Sequence, residues 1–518
     1  MLRKIRISLA TLFFLGITLL LLDFTGTLHA YLGWMAKVQF LPAVLRLGGD
    51  IVNLHVPSAI VVAAAIVVGL IVLTLIFGRI YCSVICPLGI LQDIFGWLGR
   101  RGKKKRNRYQ FSPEKRWLRY GVLTFFGAGL LLSLFTGIGI IVQLLAPYSA
   151  FGRIVNSLLQ PLWRMGNNVL ASIAERADSY AFYSTDVWLK SLPVLIIALV
   201  TLVVLAVLAW RNGRTYCNTI CPVGTILSFF SRYSLLKHYI DTDKCKNCTL
   251  CSKRCKAACI DFKNHTIDYS RCVVCFDCID NCHSHAIVYG LPRKPKDTSR
   301  PSGHEPSSAA DNGRRSFLLT TAMLTTAALA QEKKKVDGGF AILEDKQPPQ
   351  RGIMPTPPGS LSVNNMAKRC TGCQLCVSAC PNDVLRPSAD LMHLMQPTMS
   401  FERGYCRPEC TRCSEVCPAG AIKPIDDIEK TSIQIGHAVV SLDLCLAATE
   451  GVECGNCERH CPTGAITLVP LDPDDDLSAS VPAVNESICI GCGACEYLCP
   501  VRPLSAIHVE GHEVHRNI

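Results

Sequence analysis

The sequence predicts an α-helical membrane domain of four transmembrane helices joined to α+β ferredoxin-like iron–sulfur domains. Composition comes first: mean hydropathy is +0.28 and 49% of residues are apolar, which is high for a soluble chain. Cysteine comes second. The 518 residues include 29 cysteines, most of them in repeated C-x2-C-x2-C-x3-C runs. Disulfide frameworks belong to small secreted chains with irregular spacings, so metal ligation is the better account. The third observation is an interruption at 314–331, where Arg314 and Arg315 precede an uncharged run ending in Ala328-Leu329-Ala330. It reads as a twin-arginine export signal or membrane anchor, the alternative being a fifth helix, and it divides the cysteines into two groups.

Charge follows the same division. Residues 331–518 carry 16 Lys and Arg against 24 Asp and Glu, a net of −8, so residues 1–330 carry +21 within a total of +13. The basic half contains the apolar runs and their flanks, where Lys and Arg mark cytoplasmic loops. Nucleic acid is therefore unnecessary as a partner.

Residues 1–240 form the predicted membrane domain. Apolar runs near Ile7–Leu22, Val56–Phe77, Leu118–Leu145 and Ser191–Trp210 approach the roughly 20 residues needed to cross a hydrocarbon core. The first is the weakest because Asp23 closes it early. Arg3, Lys4 and Arg6, the basic run from Arg100 to Arg108, and Arg211 and Arg214 place three flanks in the cytoplasm. Gly78-Arg79-Ile80-Tyr81-Cys82-Ser83-Val84-Ile85-Cys86-Pro87-Leu88-Gly89 recurs as Gly213-Arg214-Thr215-Tyr216-Cys217-Asn218-Thr219-Ile220-Cys221-Pro222-Val223-Gly224. Two hairpins repeated in one orientation suggest a pseudo-twofold axis along the membrane normal. Cys82, Cys86, Cys217 and Cys221 would then converge as redox thiols or as a tetrathiolate site. Buried packing thiols are the plainer reading, but repetition of the whole twelve-residue frame favours a redox or ligand role. Asp23, His29, Asp50 and His55 lie near outer span ends, where His29 or His55 is a candidate proton acceptor for a quinol. No histidine lies within the spans, which argues against a bis-histidine haem.

Residues 241–290 read as a cytoplasmic two-cluster ferredoxin domain. Three closely spaced cysteines wrap one cubane and the fourth reaches its neighbour. One cluster would take Cys245, Cys248, Cys251 and Cys282, the other Cys272, Cys275, Cys278 and Cys255. Interlocked quartets are foreign to zinc sites, which use four ligands in two pairs. Lys256 and His283 stand where proline usually follows, and Cys259 is either a replacement for Cys255 or a packed thiol. Residues 291–313 read as a disordered linker, and residues 332–369, rich in proline, as a second linker.

Residues 370–518 contain four more quartets, enough for four [4Fe–4S] clusters and six in the whole chain. The outer two are regular: Cys370, Cys373, Cys376, Cys380 and Cys489, Cys492, Cys495, Cys499. The inner two are stretched at the first gap: Cys406, Cys410, Cys413, Cys417 and Cys445, Cys454, Cys457, Cys461. Nested pairing, regular with regular, is expected, with sequential pairing the alternative. The absence of C-x-x-C-H, a P-loop or a dinucleotide fingerprint leaves no substrate-transforming site.

On these motifs, residues 1–290 resemble the NapH-type membrane ferredoxin, with its four spans and two C-x3-C-P motifs. Residues 313–518 resemble the NapG or MauM type, with a twin-arginine signal and four cluster motifs. The chain looks like two such subunits fused end to end. The resemblance implies a quinol dehydrogenase of the bacterial inner membrane, passing electrons from the quinone pool to a periplasmic reductase or cytochrome, as in nitrate reduction. Residues 370–518 would lie in the periplasm. A redox-sensing or maturation protein for a respiratory reductase is the alternative.

Overall fold

The computed structural model describes residues 1–52, 57–101, 109, 111–179, 181–291, 344–474 and 478–518. The twin-arginine segment 314–331, residues 292–313 of the first linker, residues 332–343 of the second, His55 and the basic run 102–108 lie outside the described residues.

Among the described residues four helices are long and apolar enough to cross a membrane: Leu2–Leu22, Ala59–Phe77, Arg116–Thr136 and Leu192–Asn212. No more than 39% of any of them is buried inside the protein, so most of their apolar surface faces outward, the arrangement a lipid solvent rewards. Two limits differ from expectation. The first helix starts at Leu2, because Arg6 is neutralised by Asp93 at 2.6 Å and so can be buried. The third stops at Thr136, where Gly137 adopts a left-handed φ of 78° and caps it; its expected continuation to Leu145 is a separate short helix, Ile140–Leu145.

The connections fold back among the long helices. Thr27–Lys37 and Phe40–Val52 make one hairpin, and its tip is fixed by Tyr81, whose hydroxyl donates to Gln39 Oε1 (3.0 Å) and accepts from Phe40 N–H (3.1 Å). The second turns at Ala146, between Ile140–Leu145 and Pro147–Ile154, and Arg153 braces it by donating to Gln143 O at 2.8 Å. A single π-helical turn, Val155–Leu159, then leads into Gln160–Arg176.

The two cysteine-rich units dock at opposite ends of this bundle, a separation set by the first helix, whose 21 residues rise ~30 Å. At its start, Arg3 pairs with Asp277 and Asp280 of the first unit, both at 2.9 Å. Beyond its end, Thr25 O accepts from Arg412 of the second unit at 2.5 Å. Arg369 to Asp50 (3.1 Å) and a bidentate Arg164–Asp383 pair (both 2.9 Å) complete the second docking surface. Residues 344–369, expected as the end of a linker, are themselves packed: Lys346 donates to Tyr497 O at 2.8 Å, and Val363–Arg369 is a helix.

Each unit is α+β at small scale. Five two-stranded antiparallel sheets flank the cysteine loops; Lys237–Ile240 with Ile287–Gly290 and Ile433–Val440 with Ile507–Asn517 close the first and second units.

Candidate metal centres

A recurring backbone conformation builds the cysteine loops. In C-x2-C-x2-C, the residues on either side of the middle cysteine take positive φ: Asn247 and Thr249, Val274 and Phe276, Gly372 and Gln374, Gly491 and Gly493. A β-branched residue such as Val274 in that region is strained, and such strain persists where a loop must curl around something. A second positive-φ position falls three residues after the fourth cysteine, at Ala258, His285, Asp383, Gly420 and Gly464. These residues turn the chain into the following strand and bring backbone N–H groups onto sulfur: Ala465 N–H donates to Cys461 Sγ at 3.2 Å, Ile422 N–H to Cys417 Sγ at 3.5 Å. Donors to sulfur stabilise thiolate ligands and tune cluster potential.

In the first unit the expected quartets come together. Cys245, Cys248, Cys251 and Cys282 line one cavity of about 410 Å³. Cys255, Cys272, Cys275 and Cys278 line another of about 350 Å³, together with Cys259. Cys259 Sγ lies 3.5 Å from Cys255 Sγ, while the left-handed turn at Ala258 gives Cys255 the place of the fourth cysteine. Replacing Cys259 by serine should therefore leave iron content unchanged; a loss of about four iron atoms would make Cys259 the ligand.

In the second unit the pairing is sequential, which corrects the nested expectation. Cys380 shares a cavity of about 350 Å³ with Cys406, Cys410 and Cys413. Cys417 lies within electrostatic reach of Cys370, Cys373 and Cys376. Likewise Cys461 faces Cys489 and Cys492, which leaves Cys499 for Cys445, Cys454 and Cys457 in the same buried cluster. Adjacent helices decide this: Leu375–Ala379 packs on Arg412–Val416, and Asn456–Arg459 on Ala494–Leu498. The two pairs abut where Cys406 N–H donates to Cys492 O at 2.9 Å. In a Cys417→Ser variant the signal of the Cys370 site should change while that of the Cys406 site stays; electron paramagnetic resonance reads the difference.

The donor sets fit iron–sulfur clusters. Burial pushes Cys251, Cys373 and Cys457 up to about 11, so their thiolates need a compensating cation. Among the described residues no set of three or more His, Cys, Asp or Glu is close enough to hold a single metal ion.

Between the two units lie Cys82, Cys86, Cys217 and Cys221, all buried and within electrostatic reach of one another. The repeats hold each other reciprocally. Arg79 donates to Cys217 O at 3.1 Å and Arg214 to Cys82 O at 2.6 Å, as a pseudo-twofold axis requires. A Cβ at Gly89 would come within 2.2 Å of Cys82 O, and one at Gly224 within 2.2 Å of Cys217 O, so both motifs need glycine there. Polar links run outward on both sides. Arg79 also donates to Ser270 O (2.9 Å), two residues before Cys272, and Arg214 pairs with Asp93 (2.8 Å), which meets Lys256 (3.4 Å) beside Cys255. On the other side Arg153 lies within reach of both Tyr216 and Cys373, and Gln143 donates to Cys370 O at 3.3 Å. Arg79, Tyr81, Arg214 and Tyr216 are functional positions of the repeat beyond its cysteines, and their duplication at matching positions is the signal in the sequence.

Of the residues expected near the outer span ends, Asp23 and Asp50 are engaged in structural contacts, His29 is described and His55 is not. Asp23 accepts from the N–H groups of Thr25, Gly26 and Leu28 (2.8–3.0 Å) and so caps a turn. Asp50 pairs with Arg369. Burial lowers the pKa of His29, and neither of its ring nitrogens has a protein partner.

Comparison with known proteins adds to this geometry. A family model described as a 4Fe-4S binding domain matches twice, at residues 59–106 and 192–239, each match containing one C-x3-C-P motif. A 4Fe-4S dicluster domain matches residues 369–446 and 452–502. Methylamine utilization ferredoxin-type protein MauM of Methylobacillus flagellatus is 32% identical over 31% of this chain and 70% of its own length. Ferredoxin-type protein NapF of Escherichia coli is 32% identical over 30% of this chain and 86% of its own. Ferredoxin-type protein NapG of the same species is 31% identical over 37% and 84% respectively. No solved structure matches.

Proposed function

The chain belongs to the NapG/MauM family of ferredoxin-type proteins with 4Fe-4S domains, and from that premise we propose that it carries electrons from the quinol pool to a periplasmic reductase through a line of clusters. The observation that carries this reading is the position of Cys82, Cys86, Cys217 and Cys221 between the two docked units. Bound clusters supply one-electron transfer without proton chemistry of their own. The chain's residues do the rest. Twenty-four cysteines hold six clusters, the four C-x3-C-P thiols hold a further redox centre, and Arg79 and Arg214 lock the two repeats around it.

The four long helices lie in the bacterial inner membrane, with the basic flanks and residues 241–290 in the cytoplasm and residues 370–518 in the periplasm. Export of the second unit past Arg314 and Arg315 fits a cargo that folds around its clusters before crossing. In this arrangement the ~30 Å of hydrocarbon is divided into shorter electron steps.

Purified protein in liposomes, supplied with a reduced quinol analogue, tests the proposal. Reduction of the clusters in residues 370–518 is expected by electron paramagnetic resonance. No reduction, with iron content intact, would overturn it and favour a sensing or maturation role.

A further inference from the structure

Where the second unit meets the helical bundle, a small cleft lies between the π-helical turn Val155–Leu159, the helix after it and the segment before Leu192–Asn212. Its polar lining is ordered by one cation. Lys190 Nζ donates to Gln160 Oε1 at 2.9 Å and to Asn156 Oδ1 at 3.3 Å. An ammonium only donates, so both amide oxygens must face it. Asn156 then offers Nδ2, which donates to Gln374 Oε1 at 3.0 Å. Both glutamine nitrogens are consequently left over: Gln160 Nε2 and Gln374 Nε2 are buried with no protein partner, as are Ser191 Oγ and Trp188 Nε1. A buried donor that nothing meets is destabilising.

The ligand that would meet them must supply acceptor oxygens. It must also be largely apolar, because Pro161, Val187, Leu189 and Pro387 form the remaining walls. Its route is through lipid: helix Gln160–Arg176 exposes Leu162, Trp163, Met165, Val169 and Ile173, an interfacial face beside the opening. The cleft also touches a metal centre. Gln374 sits between Cys373 and Cys376 in sequence, and Lys190 is within electrostatic reach of Cys376 and Cys380.

We infer that this cleft is the quinol headgroup site, with Gln160, Gln374 and Ser191 holding its oxygens. The inference rests on the quinol-oxidising function proposed above. Oxidation there balances simply: one quinol becomes one quinone, two electrons pass singly to the Cys370 and Cys406 centres, which are reduced, and two phenolic protons leave to water outside.

Binding of a fluorescent hydroxyquinoline N-oxide to the full-length, cluster-loaded protein in detergent tests the site. Wild type should bind one equivalent, and Gln160→Leu should weaken binding roughly tenfold with iron content and dithionite-reduced spectra unchanged. Val187→Trp, which fills the cleft at an exposed position without touching the amides, should do the same. Unchanged binding in both variants, alongside normal quinol reduction of the clusters, would overturn the site while leaving the proposed function standing. Failure of wild type to accept electrons from quinol would instead remove that function. Displacement of the probe by phosphatidylglycerol vesicles, but not by phosphatidylcholine, would also overturn the inference by showing an anionic-lipid site.

Discussion

A Cys86→Ser variant should lose about four iron atoms per chain and lose electron exchange between the two cysteine-rich units, while both units keep their own clusters. Cys86 lies within reach of Cys82 and Cys217, and Cys221 within reach of all three. Removing one thiol therefore opens one corner of a four-cornered site and leaves both ferredoxin folds untouched. The remaining gap approaches the hydrocarbon thickness of ~30 Å, too far for one tunnelling step. In liposomes, quinol should still reduce the outer clusters, whereas those held by Cys245–Cys282 should stay oxidised. Freeze-quenched electron paramagnetic resonance separates the two sets. Unimpaired exchange between the units would show that electrons bypass the C-x3-C-P motifs and that these thiols only pack. Arg79→Lys tests the scaffold independently: lysine cannot span Asn218, Ser270 and Cys217 with one planar group, so iron at this centre should fall although every cysteine remains.

How much of this was legible follows from what spacing encodes. C-x2-C-x2-C-x3-C records a loop that must curl around a cubane, and the positive-φ pairs at Asn247/Thr249 and Gly372/Gln374 are its backbone counterpart. The quartets of the first unit were therefore readable to the residue. Pairing in the second unit was not. A stretched gap such as Cys445-x8-Cys454 records only an inserted helix, Leu446–Glu450, and carries no information about the partner; the partner is set by which short helices pack. The repeat announced convergence of four thiols, because equal sequences folded equally must be related by an axis. The inward hairpins are not legible because Thr27–Lys37 is too short to register as a span and Ile140–Leu145 reads as the end of the third apolar run. Gln39 and Gln143, polar residues in apolar company that end up fully buried, were the signals available. The Lys190 cleft was invisible for a different reason: its amides come from segments more than 200 residues apart, and only the docking of the second unit assembles them.

Asp93→Asn should be the most destabilising single change outside the cysteines. Its carboxylate meets Arg6 at 2.6 Å, Arg214 at 2.8 Å and Lys256 at 3.4 Å; the three cations are buried and the Asp93 side chain is only 11% exposed. Burial alone would raise the Asp93 pKa, but Arg214, Lys256 and Arg6 hold it well below the usual carboxylate range. Neutralising it leaves three cations facing one another out of water, and breaking a buried pair from one side costs about 3–5 kcal/mol. The three cations belong to the first helix, the second repeat and the first ferredoxin unit, so the loss should appear as undocking as well as lowered stability. The pH dependence follows in sign. A carboxylate with a depressed folded pKa contributes stability that is complete above its ordinary value of 3.8 and is lost as pH falls through the folded value. Wild type should therefore weaken below about pH 4, and Asp93→Asn should lack that component of the acid transition. Denaturant unfolding between pH 3 and 7 reads both effects. If Asp93→Asn matches wild type at neutral pH, the network is ornamental and the docking rests on other contacts, such as those of Arg3 and Arg79.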